Sequence, residues 1–139
     1  MKIVTIVSLM FIIAFAFSCG PQKSENELLE EKVIQIHDEV MPRIGNLKSQ
    51  KNKLEKKAES LEESSNSDDY QKQIDELRSA AAACDHAYDE MFVWMRQFKR
   101  DIEGMTEEEE KAYLENELEK VEKVKKDILQ ALENGEALL

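Results

Sequence analysis

The residues of this chain with the greatest capacity for chemistry are His37, His86, Cys19, Cys84 and the methionines at 41, 91 and 95. Soft thioethers beside an imidazole suit copper(I), and a helical reading brings His37, Met41, Met91, Met95 and Trp94 into one neighbourhood, so His37, Met41, Met91 and Met95 form one candidate metal set. The competing reading is packing. Methionine fills irregular gaps, tryptophan stacks on it, and a single histidine is satisfied by Asp38 or a facing hydroxyl. No His-x3-His or Cys-x2-Cys spacing supports a metal, so packing is preferred and no metal or cofactor is expected. His86 and Glu90 stand one helical turn apart with Asp85 and Asp89 beside them; they could hold a divalent cation weakly or form a solvated acidic face. Cys84 has no His or Asp at a productive spacing and reads as an inert buried thiol. With no phosphate loop, Ser-His-Asp set or carboxylate pair in a pocket, the chain is not expected to be an enzyme.

Cys19 belongs to a different chemistry. An apolar run from Ile3 to Phe17, broken only by Thr5 and Ser8 and preceded by Lys2, ends on Ser18-Cys19-Gly20. It is shorter than the ~20 apolar residues of a stop-transfer helix and closes on small residues, so residues 1–18 read as a cleaved signal peptide. Ala16-Phe17-Ser18-Cys19 resembles a bacterial lipobox, which implies acylation of Cys19 and a lipidated tether over 19–23. Several acyl chains, at ~0.8 kcal/mol per buried methylene, would hold the chain on a membrane.

The elements that position these residues are helices. Few Gly, few Pro and abundant Glu, Lys, Leu and Ala place the rest in one all-α domain over 24–135. Ser24 to Glu27 has capping-box spacing, and a 3.5-residue seam runs Val33, His37, Val40, Ile44, Leu47, Lys51, Leu54, Ala58, Leu61. That predicts a helix over about 25–63, kinked near 38–42 because Pro42 lacks an N–H and crowds the Asp38 carbonyl. Ser64 to Ser67 reads as a turn and N-cap, with Asp68 and Asp69 in the next first turn. A second helix over about 67–103 carries Tyr70, Ile74, Leu77, Ala81, Cys84, Tyr88, Met91, Met95, Phe98 and Ile102, and Gly104 ends it. Thr106 to Glu109 opens a third, about 107–134, with Leu114, Leu118, Val121, Lys125, Ile128 and Leu132 on its seam and Asn134-Gly135 as its stop.

These seams close against one another in antiparallel register. Leu54 falls opposite Leu77, Leu47 opposite Cys84, Ile44 opposite Tyr88 and His37 opposite Met95; Met95 in turn meets Leu114, and Tyr88 meets Val121. An antiparallel three-helix bundle follows, with the first turn projecting as a two-helix tip. At ~1.5 Å per residue its first two helices reach roughly 50 to 60 Å. Lys51 and Lys125 interrupt adjacent core layers and are read as fixing register, with a groove for an acidic peptide as the functional alternative.

Charge narrows the partners. The net charge is −11, and loss of the signal peptide removes one cation and no acid. Phosphate would be repelled and the basic residues are interleaved with acids, so no nucleic-acid partner is expected.

Two stretches, His37-Asp38-Glu39-Val40-Met41-Pro42 and Asp89-Glu90-Met91-Phe92-Val93-Trp94-Met95, give the chain a resemblance to small Bacteroidota lipoproteins often labelled "viral A-type inclusion protein". The resemblance implies an envelope lipoprotein and brings no catalytic residue with it. Gly20 to Glu25 differs from the acid-rich start associated with surface export in that group, so the expected site is the outer membrane, facing the periplasm. The function expected is a membrane-anchored, non-enzymatic helical module that binds a protein partner or spaces envelope layers; the alternative is a periplasmic metal-binding or metal-stress protein using the His/Met cluster.

Overall fold

The structure is a computed structural model that describes residues 23–64, 70–100 and 102–139. The signal peptide, Cys19, most of the tether, and all of the expected Ser64 to Ser67 turn but Ser64, with Asp68 and Asp69 after it, lie outside the described residues. Four α-helices make three arms: α1 (Glu25–Val40) and α2 (Ile44–Glu62) form the first, α3 (Gln71–Gln97) the second and α4 (Glu107–Ala137) the third. Among the described residues there is no strand.

The first arm begins on the expected capping box, in which the Glu27 amide donates to the Ser24 hydroxyl and the Ser24 amide to the Glu27 carboxylate. It breaks at a 3-10 turn over Met41–Arg43, which carries Pro42. Met41 N–H still reaches His37 O, and Ile44 N–H closes back on Met41 O, so the tighter turn absorbs the donor that proline lacks. Val40 and Ile44 are buried on either side of the break. The seam therefore crosses it without changing face.

α3 departs from expectation at its C-terminal end. It is described from Gln71, the expected start at 67 lying outside the described residues, and it stops at Gln97, not 103. Phe98 N–H still bonds Trp94 O at 2.9 Å, but its backbone turns extended, with ψ 126°. Its ring stacks at 5.1 Å on Trp94 and at 6.4 Å on Tyr113 of α4, while the Tyr113 hydroxyl accepts from Lys99 N–H at 2.8 Å. Aromatic stacking across the arms thus takes Phe98 off the helix, and Ile102 falls in the connecting loop. Gly104, with φ 89°, makes a left-handed step inside that loop and does not end α3.

α4 starts on the expected box, Thr106 with Glu109, but passes through Asn134-Gly135 to Ala137. Gly135 is buried against the Gln50 side chain, where a Cβ would collide. It serves close packing, not termination. Gln50 donates to Leu132 O at 2.6 Å and Lys57 to Leu138 O at 2.7 Å, so α2 side chains satisfy carbonyls at the end of α4.

Contacts fix the directions. Lys51 meets Asp85 at 2.8 Å, Lys48 lies over the Tyr88 ring at 4.4 Å and the His37 and Trp94 rings are 5.7 Å apart, so α3 runs antiparallel to α1 and α2. Cys84 Sγ approaches Ala131 O at 3.7 Å and Lys123 meets Glu90 at 3.3 Å, which sets α4 antiparallel to α3. Lys111 with Glu25 and Lys125 with Glu39 make α4 parallel to the first arm.

Which residues face inward differs in detail from the 3.5-residue seams. Ile36 is buried and His37 only partly so; Trp94 is 5 % exposed where Met95 is 38 %. On α4 the buried stripe is Leu114, Glu117, Val121, Val124, Ile128, Ala131 and Gly135, with Leu118, Lys125 and Leu132 on its flank. Each arm touches two others, so its buried face is wider than a coiled-coil seam, and a straight helix drifts from a strict heptad.

Candidate functional site

His37 sits just before the 3-10 turn with Nδ1 2.8 Å from Asp38 Oδ1 and its ring tilted against Trp94. Met41 packs partly buried on the core and Met91 is wholly buried, whereas Met95 points away from it. His37 thus contacts a neighbouring carboxylate and an indole. Among the described residues no cluster of three or more His, Cys, Asp or Glu is arranged to hold a metal.

The more informative surface lies on the other side of Trp94, in a groove of about 360 Å³ between α3 and α4. Val93 and Trp94 from α3 and Val124 from α4 supply its apolar centre. His86, Asp89 and Glu90 edge it on α3, and Lys120 and Lys123 edge it on α4. Charges are paired across and along the groove: His86 with Glu90 at 3.8 Å, Lys123 with Glu90 at 3.3 Å and with Asp127 at 2.7 Å. Hydrogen bonds to Asp127 and then Glu90 raise the Lys123 pKa, so this lysine stays charged.

Glu117, 3 % exposed, is the one buried charged residue among those described. Lys120 reaches its Oε1 at 2.6 Å, but Oε2 has no hydrogen-bond partner, and neither has the buried Trp94 Nε1. Trp94 lies on α3 and Glu117 on α4, and Lys120, which bonds Glu117, lines the groove together with Trp94. Sequence reasoning passed over Glu117 because it sits in a Glu-rich helix, where a carboxylate reads as solvated surface. The available signal was its 3-4 spacing with Leu114 and Val121.

The remaining candidates take part in ion pairs or lie in the core. The Lys51 and Lys125 stems lie along the core edge while their ammonium groups meet Asp85 and Glu39 on neighbouring arms. The hydrogen bond that the Lys51 ammonium donates to Asp85 raises the Lys51 pKa. Cys84 is wholly buried and its thiol is pushed up by desolvation. At the start of the bundle the N-termini of α1 and α4 lie side by side: Asn26 donates to Glu107 O at 3.0 Å and to Glu110 at 3.1 Å, and Lys111 bonds Glu25 at 2.6 Å. Two parallel positive helix ends repel, and the acids at 25, 27 and 107 to 110 offset that charge.

The groove between α3 and α4 is shallow and lined by charges of both signs. No protein-family model, curated protein or solved structure matches the chain. No helix among the described residues is long and apolar enough to cross a membrane.

Proposed function

We propose that the chain is a lipid-anchored protein of a bacterial envelope, held through Cys19, whose helical rod is a non-enzymatic docking or spacing module on the periplasmic side of the outer membrane. The observation that carries this reading is the placement of Cys19 at the end of the Ile3 to Phe17 run, a short stretch ahead of the Ser24 cap that begins the folded part. The rod lends it support: its core is filled by side chains, its surface is acidic, and the candidate groups are taken up in pairs. Acyl chains would then supply the membrane attachment.

The test is fractionation of Cys19→Ala against the native chain in a bacterial host, with mass spectrometry of the N-terminus. The native chain should partition with membranes and carry acyl mass on Cys19. The variant should be released or left unprocessed. Membrane-bound, acylated Cys19→Ala protein would overturn the reading.

A further inference from the structure

We propose that the groove between α3 and α4 is covered by a second copy of this chain, in a parallel two-fold dimer. The groove carries opposite charge on its two edges: Asp89 and Glu90 on α3, Lys120 and Lys123 on α4, with Trp94, Val124 and the 41 %-exposed Val93 between them. A surface with one acidic and one basic edge is complementary to itself. A two-fold axis along the rod lays α3 of each copy on α4 of the other. Because Glu90 and Lys123 already meet at 3.3 Å across the groove, they stand at the same height along the rod. The dimer axis therefore sets each Glu90 against the copy's Lys123 as well, closing a four-charge ring around the covered valines. Turning the copy end over end instead places Glu90 against Glu90 and Lys123 against Lys123, which like-charge repulsion disfavours.

A second consideration selects the same axis. It rests on the lipid-anchor reading above: two chains held through Cys19 on one membrane must point the same way, and only the parallel arrangement brings both starting ends to one side. Charge and anchoring are separate requirements, and one symmetry operator meets both.

The experiment uses charge reversal and mixing. Native mass spectrometry of the full chain in mild detergent should show a dimer, and Glu90→Lys and Lys123→Glu should each weaken it by at least ~10-fold. Mixed together, these two variants should form a heterodimer, since every cross-groove contact between copies is then attractive. Orientation comes from spin labels on Lys72→Cys, at a side chain that is 92 % exposed near the far end of α3. Parallel copies bring the two labels to the same end of the rod, giving a short distance. A monomeric native chain, a mixture that stays monomeric, or a label distance spanning the rod each overturns the proposal. Labelling reports on the anchor separately: with Cys19 acylated and Cys84 buried, one label binds per chain, and two labels mark failure of the anchor reading without bearing on the mass that reports pairing.

Discussion

Lys120 holds one oxygen of Glu117 at 2.6 Å, and the other oxygen, buried, has no partner among the described residues. A half-satisfied carboxylate in a helical core costs more than it returns, because desolvation is complete and only one oxygen is compensated. Replacement by an apolar side chain of similar size should therefore stabilise the bundle. Glu117→Leu is expected to raise the unfolding free energy by about 1–3 kcal/mol in urea titration, while Lys120→Ala lowers it by stranding the carboxylate. Loss of stability in Glu117→Leu would show that the carboxylate is compensated after all.

Gly135 and Gln50 form a second coupled pair. Gly→Ala inside a helix ordinarily gains about 1 kcal/mol, but here the new methyl displaces the Gln50 amide and its bond to Leu132 O. Gly135→Ala should be close to neutral in the native background and stabilising by about 1 kcal/mol in Gln50→Ala. A double-mutant cycle reads the coupling, and additivity would remove the contact from the account.

Burial of Cys84 fixes both its reactivity and a pH dependence. The folded chain should resist a thiol reagent that reacts with Cys84 in urea, with the rate set by unfolding. Its pKa is raised in the fold, so the folded state holds the proton longer than the unfolded chain does. That contribution is fully present below the unfolded thiol value, about 8.5, and is lost as pH rises through the higher folded value. Lys51, Lys111 and Lys123 are also raised and act in the same direction, so the cysteine's share is read as the difference between the native chain and Cys84→Ala above pH 9.

His37 faces Asp38 and Trp94, and Met95 lies outside the core. Copper(I) or zinc added to the protein should accordingly leave its thermal midpoint unchanged, and His37→Ala should respond identically. A ligand bound only by the fold must raise the midpoint by mass action, so a shift in the native chain that His37→Ala abolishes would restore the metal site.

Much of the architecture was legible in residue order. The Ser24 and Thr106 caps, the break at Pro42, the three arms and their antiparallel directions all follow from short-range rules: caps satisfy orphan amides, proline removes a donor, and apolar spacing selects a face. The errors fall where a distant residue decides. Nothing local to Phe98 says that Tyr113 will draw it off α3, and nothing local to Gly135 says that Gln50 needs the space of its missing side chain. The candidate site was less legible than the fold, because Glu117, Trp94 and Lys120 matter only through their relative placement on two helices.

By itself, then, the order of residues determined the helices, the caps at Ser24 and Thr106, the break at Pro42 and the antiparallel pairing, since each depends on hydrogen bonds and side-chain spacing within a few turns. Tertiary structure alone decided the rotation of each helix about its axis, which put Ile36, Trp94 and Glu117 inward and Met95, Lys125 and Leu132 to the flank. The physical reason is that a helix in contact with two neighbours buries a face wider than any single seam, and close packing of unlike side chains, not periodicity, chooses where its centre lies.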